Sequence, residues 1–245
     1  MKFEGVELVE TFEEWEKLFS QLPYTISTSK TPPQENELYL KQVHSATIVP
    51  PEQTKTEADG FFTTFKTEDK LNKTLVIQTA DCLPVTLVNA TASKVAVSHL
   101  HAGWRGYAKG IVENSFSLFK ENKFPLNNTS VYISPAIFGE SYECGEDVEE
   151  ALKTHWKNLF HKFPDFSLKE KVTQQIEGNK NKEKIFPDLQ LLCALEALAY
   201  GIPPQNIKIF RKNTYTSPDL ASYRRACHQN LNEKQRMFTR IVWKN

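Results

Sequence analysis

Three short β-branched segments, Thr74–Gln78, Pro84–Val88 and Lys94–His99, follow one another with only a few residues between them. Val76 and Ile77, then Val85, Leu87 and Val88, then Val95 and Val97 carry the pattern, bounded by turn-forming Asn89 and Ala92-Ser93. Such residues suit a pleated, largely buried surface. Strands adjacent in sequence, mixed with helices elsewhere, predict an α+β or mixed α/β layer structure.

Thr11 with Glu14 forms a capping box, predicting a short helix through Leu22. From Glu37 to Val49 the pattern is extended. Tyr107 to Glu121 carries Ile111, Val112, Phe116 and Phe119 at helical spacing. A strand is expected at Ser130–Ile133 and a helix near Glu146–Phe160. Pro187-Asp188 opens the clearest helix, with Asp188 as cap, Leu191, Leu192, Leu195 and Leu198 on its apolar face, and Gly201 ending it. Asn206–Phe210 and Arg236–Trp243 read as closing strands. With no repeat and no long linker, residues 1–245 are expected to form one domain.

The 30 basic and 30 acidic residues cancel, so no global field draws the chain to nucleic acid or an anionic membrane. Lys180, Lys182 and Lys184, interleaved with Asn181 and Glu183, read as a solvated loop. Met1-Lys2-Phe3-Glu4-Gly5 has no apolar signal region, and no apolar run approaches the roughly 18 residues of a membrane helix. The expected compartment is the cytoplasm. Cys82, Cys144, Cys193 and Cys227 lie far apart without a CxxC pair, so no disulfide framework is indicated.

Reactive side chains gather where strands end. His44 closes Lys41-Gln42-Val43-His44, Cys82 sits between two strands, and His101 follows a third. Two imidazoles and a thiolate suit Zn²⁺ with an open fourth position, as in catalytic sites. Asp81 could orient a histidine or move a proton. His99 and His101 share one strand face, so either could be the ligand, with Gly103 and Gly106 favouring a turn at His101. Trp104-Arg105 between those glycines offers a stacking face and an anion fork, or simply a packed helix entry. Ser222-Tyr223-Arg224-Arg225 adds two guanidinium groups.

Seven motifs in order, together, resemble the laccase-domain family, also called multicopper polyphenol oxidases and treated as purine nucleoside phosphorylases. They are Lys41-Gln42-Val43-His44, Ala58-Asp59-Gly60, Thr79-Ala80-Asp81-Cys82-Leu83-Pro84, His101-Ala102-Gly103-Trp104-Arg105-Gly106, Ser134-Pro135-Ala136-Ile137, Tyr142-Glu143-Cys144-Gly145 and Ser222-Tyr223-Arg224-Arg225. The resemblance implies a layered α/β/α sandwich of the necrotizing-factor-like, cysteine-hydrolase type. It implies zinc held by His44, Cys82 and His101, with Cu²⁺ able to take the same donors. The implied activity is phosphorolysis of adenosine, inosine and methylthioadenosine, with adenosine deamination as a second reaction, by a monomer or homodimer.

On this resemblance Asp81, Cys82 and Arg105 are the catalytic candidates. Gln42, Ser134, Arg105, Arg224 and Arg225 are the substrate-binding candidates, the arginines as a phosphate clamp. The chain departs from the family where Ser27-Thr28-Ser29-Lys30-Thr31-Pro32-Pro33 replaces a longer glycine-bearing segment. Asn213-Thr214 stands for a cysteine-threonine pair, and Ala226 for an aspartate. Three alternatives stand beside this reading: a cysteine hydrolase using Cys82, a copper-binding polyphenol oxidoreductase, and a non-catalytic metal-binding module. Six histidines and one His-x-His pair are too few for a blue-copper site plus a trinuclear cluster.

Overall fold

The trio of strands forms, but one member leaves the other two. The computed structural model describes residues 5–69, 73–181, 183–231 and 235–244. In chain order, β1 is Glu7–Val9, α1 Phe12–Lys17, β2 Tyr24–Ser29, β3 Ile48–Val49, β4 Gly60–Lys66, β5 Leu75–Thr79, β6 Leu83–Ala90 and β7 Lys94–Ala102. Then come α2 Trp104–Ala108, α3 Ile111–Glu121, β8 Ser130–Ile133, α4 Glu146–Lys162, α5 Lys169–Glu177, α6 Leu189–Ala199, β9 Ile207–Phe210, α7 Tyr223–His228 and β10 Met237–Trp243.

Among the described residues the main sheet has seven strands in the order β1-β9-β8-β6-β7-β4-β3, and a smaller sheet runs β2-β10-β5. β6 and β7 pair antiparallel, with Val85 opposite Leu100 and Leu87 opposite Ser98. β1, β9 and β8 run parallel to one another, as do β3 and β4. The link from β5 to β6 therefore crosses from one sheet to the other.

Side-chain alternation decides how the layers stack, because successive residues of a strand face opposite sides. Val85, Leu87, Ala96 and Leu100 pack with Val112, Phe116, Leu152, Trp156, Leu192 and Leu195, so the helices cover one face. Val88, Val95 and Val97 pack with Leu75, Ile77 and Ile241 of the small sheet and Trp15 and Phe19 of the first helical region. Each such large apolar side chain, once buried, contributes about 1.5–3 kcal/mol of transfer free energy. The architecture is mixed α/β, as expected. The expected second helical layer is instead mostly a sheet, with only α1 beside it.

Several expected boundaries shift for local reasons. The capping box at Thr11 and Glu14 is present, but α1 stops at Lys17, before Pro23. The helix expected from Tyr107 to Glu121 divides into α2 and α3, because Gly110 sits at φ 85° between them. Between Glu37 and Val49 only Ile48–Val49 joins a ladder, while Leu38 and Lys41 make single bridges. β1, β2, β4, α5 and α7 have no counterpart among the expected elements. Lys180 pairs with Glu149 and Lys184 lies near Glu143, fitting the solvated-loop expectation. Lys182 and Met1-Lys2-Phe3-Glu4 lie outside the described residues. No helix among the described residues is long and apolar enough to cross a membrane.

Candidate active site

β7 carries two histidines on the face turned toward the small sheet, the face shared by Val95 and Val97. They do different work. His99 is buried, with Nδ1 at 2.8 Å from the Thr86 hydroxyl and Nε2 at 2.8 Å from the Thr239 carbonyl. Burial pulls its pKa down to about 4, so it is a neutral core histidine with both nitrogens occupied. His101, at the strand end, meets His44 and Cys82. The ligand atoms of these three lie within 4.8 Å of one another.

Two of the three are aimed by unusual backbone. His44 has φ 58°, and Asp81, next to Cys82, has φ 92°. Left-handed backbone costs non-glycine residues about 1–2 kcal/mol, so surrounding bonds must hold it. At His44 that support is Asp59. Its carboxylate accepts from the amides of Val43 (3.2 Å), His44 (3.0 Å) and Ser45 (2.6 Å), and from the Ser45 hydroxyl (2.7 Å). Asp59 Oδ1 also lies 2.7 Å from His101 Nδ1. One buried carboxylate thus fixes both the turn that presents His44 and the ring of His101. That arrangement leaves His101 Nε2 to face Cys82.

Of the two roles open to Asp81, orienting a histidine falls to Asp59, and moving a proton is left to Asp81. Asp81 instead accepts from the Thr214 hydroxyl at 2.6 Å and the Arg224 amide at 2.7 Å. Thr214 is the retained member of the altered Asn213-Thr214 pair. Asp59 stood in the sequence between Ala58 and Gly60, but nothing in the spacing linked it to residues 43–45 and 101.

The electrostatics follow from these contacts. Burial raises the Asp59 carboxyl, but hydrogen bonds from His101 and from the Ser45 amide and hydroxyl outweigh it and hold the pKa at about 2. Burial lowers the His101 imidazolium, yet the bonds to Asp59 and Cys82 carry it up to about 9. Burial also raises the Cys82 thiol, and the bonds with His101 and His44 bring it down to about 6. With no metal bound, these contacts favour the thiolate of Cys82 and the imidazolium of His101 together. Cys144, by contrast, is pushed by burial to about 11, so the two cysteines near the cavity differ in reactivity.

The donor types suit a tetrahedral divalent ion, and one pair already has the spacing of such a site. Cys82 Sγ and His44 Nε2 are 3.8 Å apart, and bonds of about 2.0–2.3 Å put tetrahedral donors roughly 3.3–3.8 Å apart. Gly103 leaves room for them: a Cβ there would lie 2.9 Å from Cys82 Sγ and 3.1 Å from His44 Cδ2.

Two cavities meet at this cluster. The larger, about 460 Å³, is bordered by Asp81, Trp104, Arg105, Tyr142, Glu143 and Arg224 among others. The smaller, about 330 Å³, holds Gln42, Gln78, His101 and Arg236. His44, Ala80, Cys82 and Tyr223 border both.

The remaining candidates divide between these walls and the frame behind them. Arg105 is exposed, with its guanidinium carbon 4.2 Å from the Trp104 ring centroid. Arg224 donates to the Glu143 carbonyl at 3.0 Å. Arg225 donates to the carbonyls of Thr214, Tyr215, Ser217 and Leu220, so its fork braces a loop, and it borders neither cavity. Ser134 is fully buried and lines neither cavity. Gln42 reaches the small sheet, bonding both the amide and the carbonyl of Gln78.

Fold and site together define a mixed α/β protein with a His–Cys–His donor cluster between two cavities. The chain belongs to the multi-copper polyphenol oxidoreductase laccase family, whose model matches residues 24–244. A relative from Rickettsia prowazekii, named a purine nucleoside phosphorylase, is 31% identical over 211 residues, 84% of this chain and 78% of its own. One of the same name from Aquifex aeolicus is 28% identical over 186 residues, covering 76% and 71%. The solved structure of YlmD from Geobacillus stearothermophilus matches with a TM-score of 0.68 at 25% identity, over 87% of this chain and 75% of that one. A Neisseria meningitidis protein matches with a TM-score of 0.64 at 27% identity, over 85% and 75%.

Proposed function

We propose that this chain is a zinc-dependent purine nucleoside phosphorylase acting on adenosine, inosine and methylthioadenosine, with adenosine deamination as a side reaction. The observation that carries the reading is the donor cluster set between two cavities, in a chain whose relatives bear the phosphorylase name. A reaction of two substrates needs two adjoining places and a shared wall.

His44, Cys82 and His101 would hold the metal, which supplies Lewis-acid chemistry at that wall when bound. The chain's own residues do the rest. Asp59 keeps His101 in the tautomer that turns Nε2 toward the wall. Asp81, fixed by Thr214 and Arg224, presents a carboxylate to the larger cavity, where it can take a hydroxyl hydrogen or carry a proton. Trp104 and Tyr142 supply apolar faces beside it. Cu²⁺ would use the same three donors.

A second reading draws on one specific contact. Asp59, His101 and Cys82 form a chain of contacts, as the orienting carboxylate, imidazole and thiolate do in a cysteine hydrolase. Alkylation separates the two: iodoacetamide should modify Cys82 in a chelator-treated sample and spare it in a zinc-loaded one.

The direct test is chromatography of products from adenosine with and without phosphate, using wild type and His101→Ala. Adenine that requires both phosphate and His101 is the expected result. Inosine formed without phosphate would make the chain a deaminase, and unchanged adenosine, inosine and methylthioadenosine would defeat the proposal.

A further inference from the structure

Resting on the phosphorylase reading, we propose that the two cavities divide the two substrates, with Arg236 in the smaller one as the residue that takes inorganic phosphate. This moves the anion site away from Arg105, Arg224 and Arg225, the arginines that the sequence motifs brought forward.

The walls differ in charge. The larger cavity carries three carboxylates, Asp81, Glu143 and Asp147, beside Arg105 and Arg224. A phosphate dianion there meets as much repulsion as attraction. The hydroxyls of a sugar, by contrast, are donors that carboxylates accept well. The smaller cavity has no carboxylate on its described wall, and beyond the donor cluster its charged side chain is Arg236.

Arg236 also has its donors to spare. Among the described residues its guanidinium meets the Tyr223 ring, 5.9 Å from the guanidinium carbon, and no hydrogen-bond acceptor. It is half-buried, which strengthens a charged hydrogen bond relative to open solvent. Arg225 spends its fork on four carbonyls, and Arg224 gives one nitrogen to another. Gln42 and Gln78 lock together on the same wall and keep it neutral.

The sizes agree with the charges. A nucleoside is far larger than phosphate, and the cavity of about 460 Å³ is the one with Trp104 and Tyr142 for a base. Both cavities open on His44, Cys82 and Tyr223, so the two substrates would meet there. In the reaction the bond from C1′ to the purine nitrogen breaks, and its electron pair stays with the base. A phosphate oxygen bonds C1′. The proton that hydrogen phosphate gives up is the one the base gains, so atoms and charge balance with no further reactant.

Calorimetric titration of inorganic phosphate into zinc-loaded protein tests the assignment without relying on turnover. Arg236→Gln should weaken binding by about tenfold or more, the usual worth of a charged hydrogen bond, while Arg105→Gln leaves it within about twofold. Steady-state rates should show the KM for phosphate rising in Arg236→Gln with the KM for adenosine unchanged. Arg236→Lys keeps the charge and should recover part of the affinity, which separates lost binding from a damaged fold. Unaltered binding in Arg236→Gln, equal or greater weakening in Arg105→Gln, or no phosphate binding by wild type would each overturn the assignment. Arg236-dependent phosphate binding by a protein that cleaves no nucleoside would sustain the assignment and sink the phosphorylase reading instead.

Discussion

Asp59 shows how much one side chain can carry. It satisfies three successive backbone amides and one histidine ring from a fully buried position. Asparagine keeps the shape but must turn an NH₂ toward groups that already donate. Asp59→Asn should therefore cost about 10–100-fold in zinc affinity, the usual effect of losing an orienting partner. Competition with a chelating dye measures this, and unchanged affinity would detach Asp59 from the donor cluster. Cys82 and His101 were legible because they stand at strand ends, and all three because they match family motifs, although His44 sits on a turn and not at the strand end expected for it. Asp59 was not, since its work depends on a turn at residues 43–45 that no pattern announces. His99 and His101 could not be separated by spacing, because they share a face. Only the partners of each ring distinguish a core histidine from a ligand. The bracing bonds of Arg225 were hidden for a similar reason: the four carbonyls that take up its fork come from a loop whose path is set by tertiary packing.

Elements were most legible where local chemistry and packing agree. Asp188 caps α6 through the Leu191 amide at 3.1 Å and is paired with Arg211, which also reaches Gln190. Asp188→Ala should lose cap and ion pair together, about 2–4 kcal/mol, whereas Asp188→Asn keeps the cap and should lose about half as much. Urea unfolding followed by circular dichroism compares them, and equal losses would show that the cap contributes little. Gly110 marks the opposite case. A helical periodicity ran straight through it, yet its positive φ turns the chain and separates α2 from α3. β2 stayed hidden because Tyr24–Ser29 alternates only weakly and owes its form to pairing with β10.

At the scale of the molecule, the small sheet is held to its neighbouring loop by Arg240. Its guanidinium bonds both Glu37 oxygens, the Ser29 hydroxyl and the carbonyls of Thr31 and Pro32. Burial raises the Glu37 carboxyl, but Arg240 and the Gln34 amide outweigh it and hold its pKa below the usual glutamate value. An unfolded glutamate titrates near about 4.3, so below that pH the unfolded chain binds more protons. The pair's contribution is therefore full above that pH and is lost as pH falls through the lower folded value. The stability difference between wild type and Arg240→Met should shrink between about pH 5 and pH 3 without vanishing, because the carbonyl contacts do not titrate. A difference that grew on acidification would contradict the assignment.

The distribution of the site along the chain bears on the order of its assembly in time. The three donors fall between residues 44 and 101, where β6 and β7 are neighbours, whereas Thr214, Tyr223, Arg224 and Arg236 come from the far side of the sequence. Pairings such as Tyr24 with Trp243 and Val9 with Phe210 close very long loops, and contacts of that kind form slowly. The donor cluster, with Gln42, Gln78, Asp81, Trp104 and Arg105 of its walls, thus closes over shorter loops than the part of the walls contributed by Tyr223, Arg224 and Arg236. An ion captured while the chain is still folding would find its ligands before the place for a substrate to bind was complete.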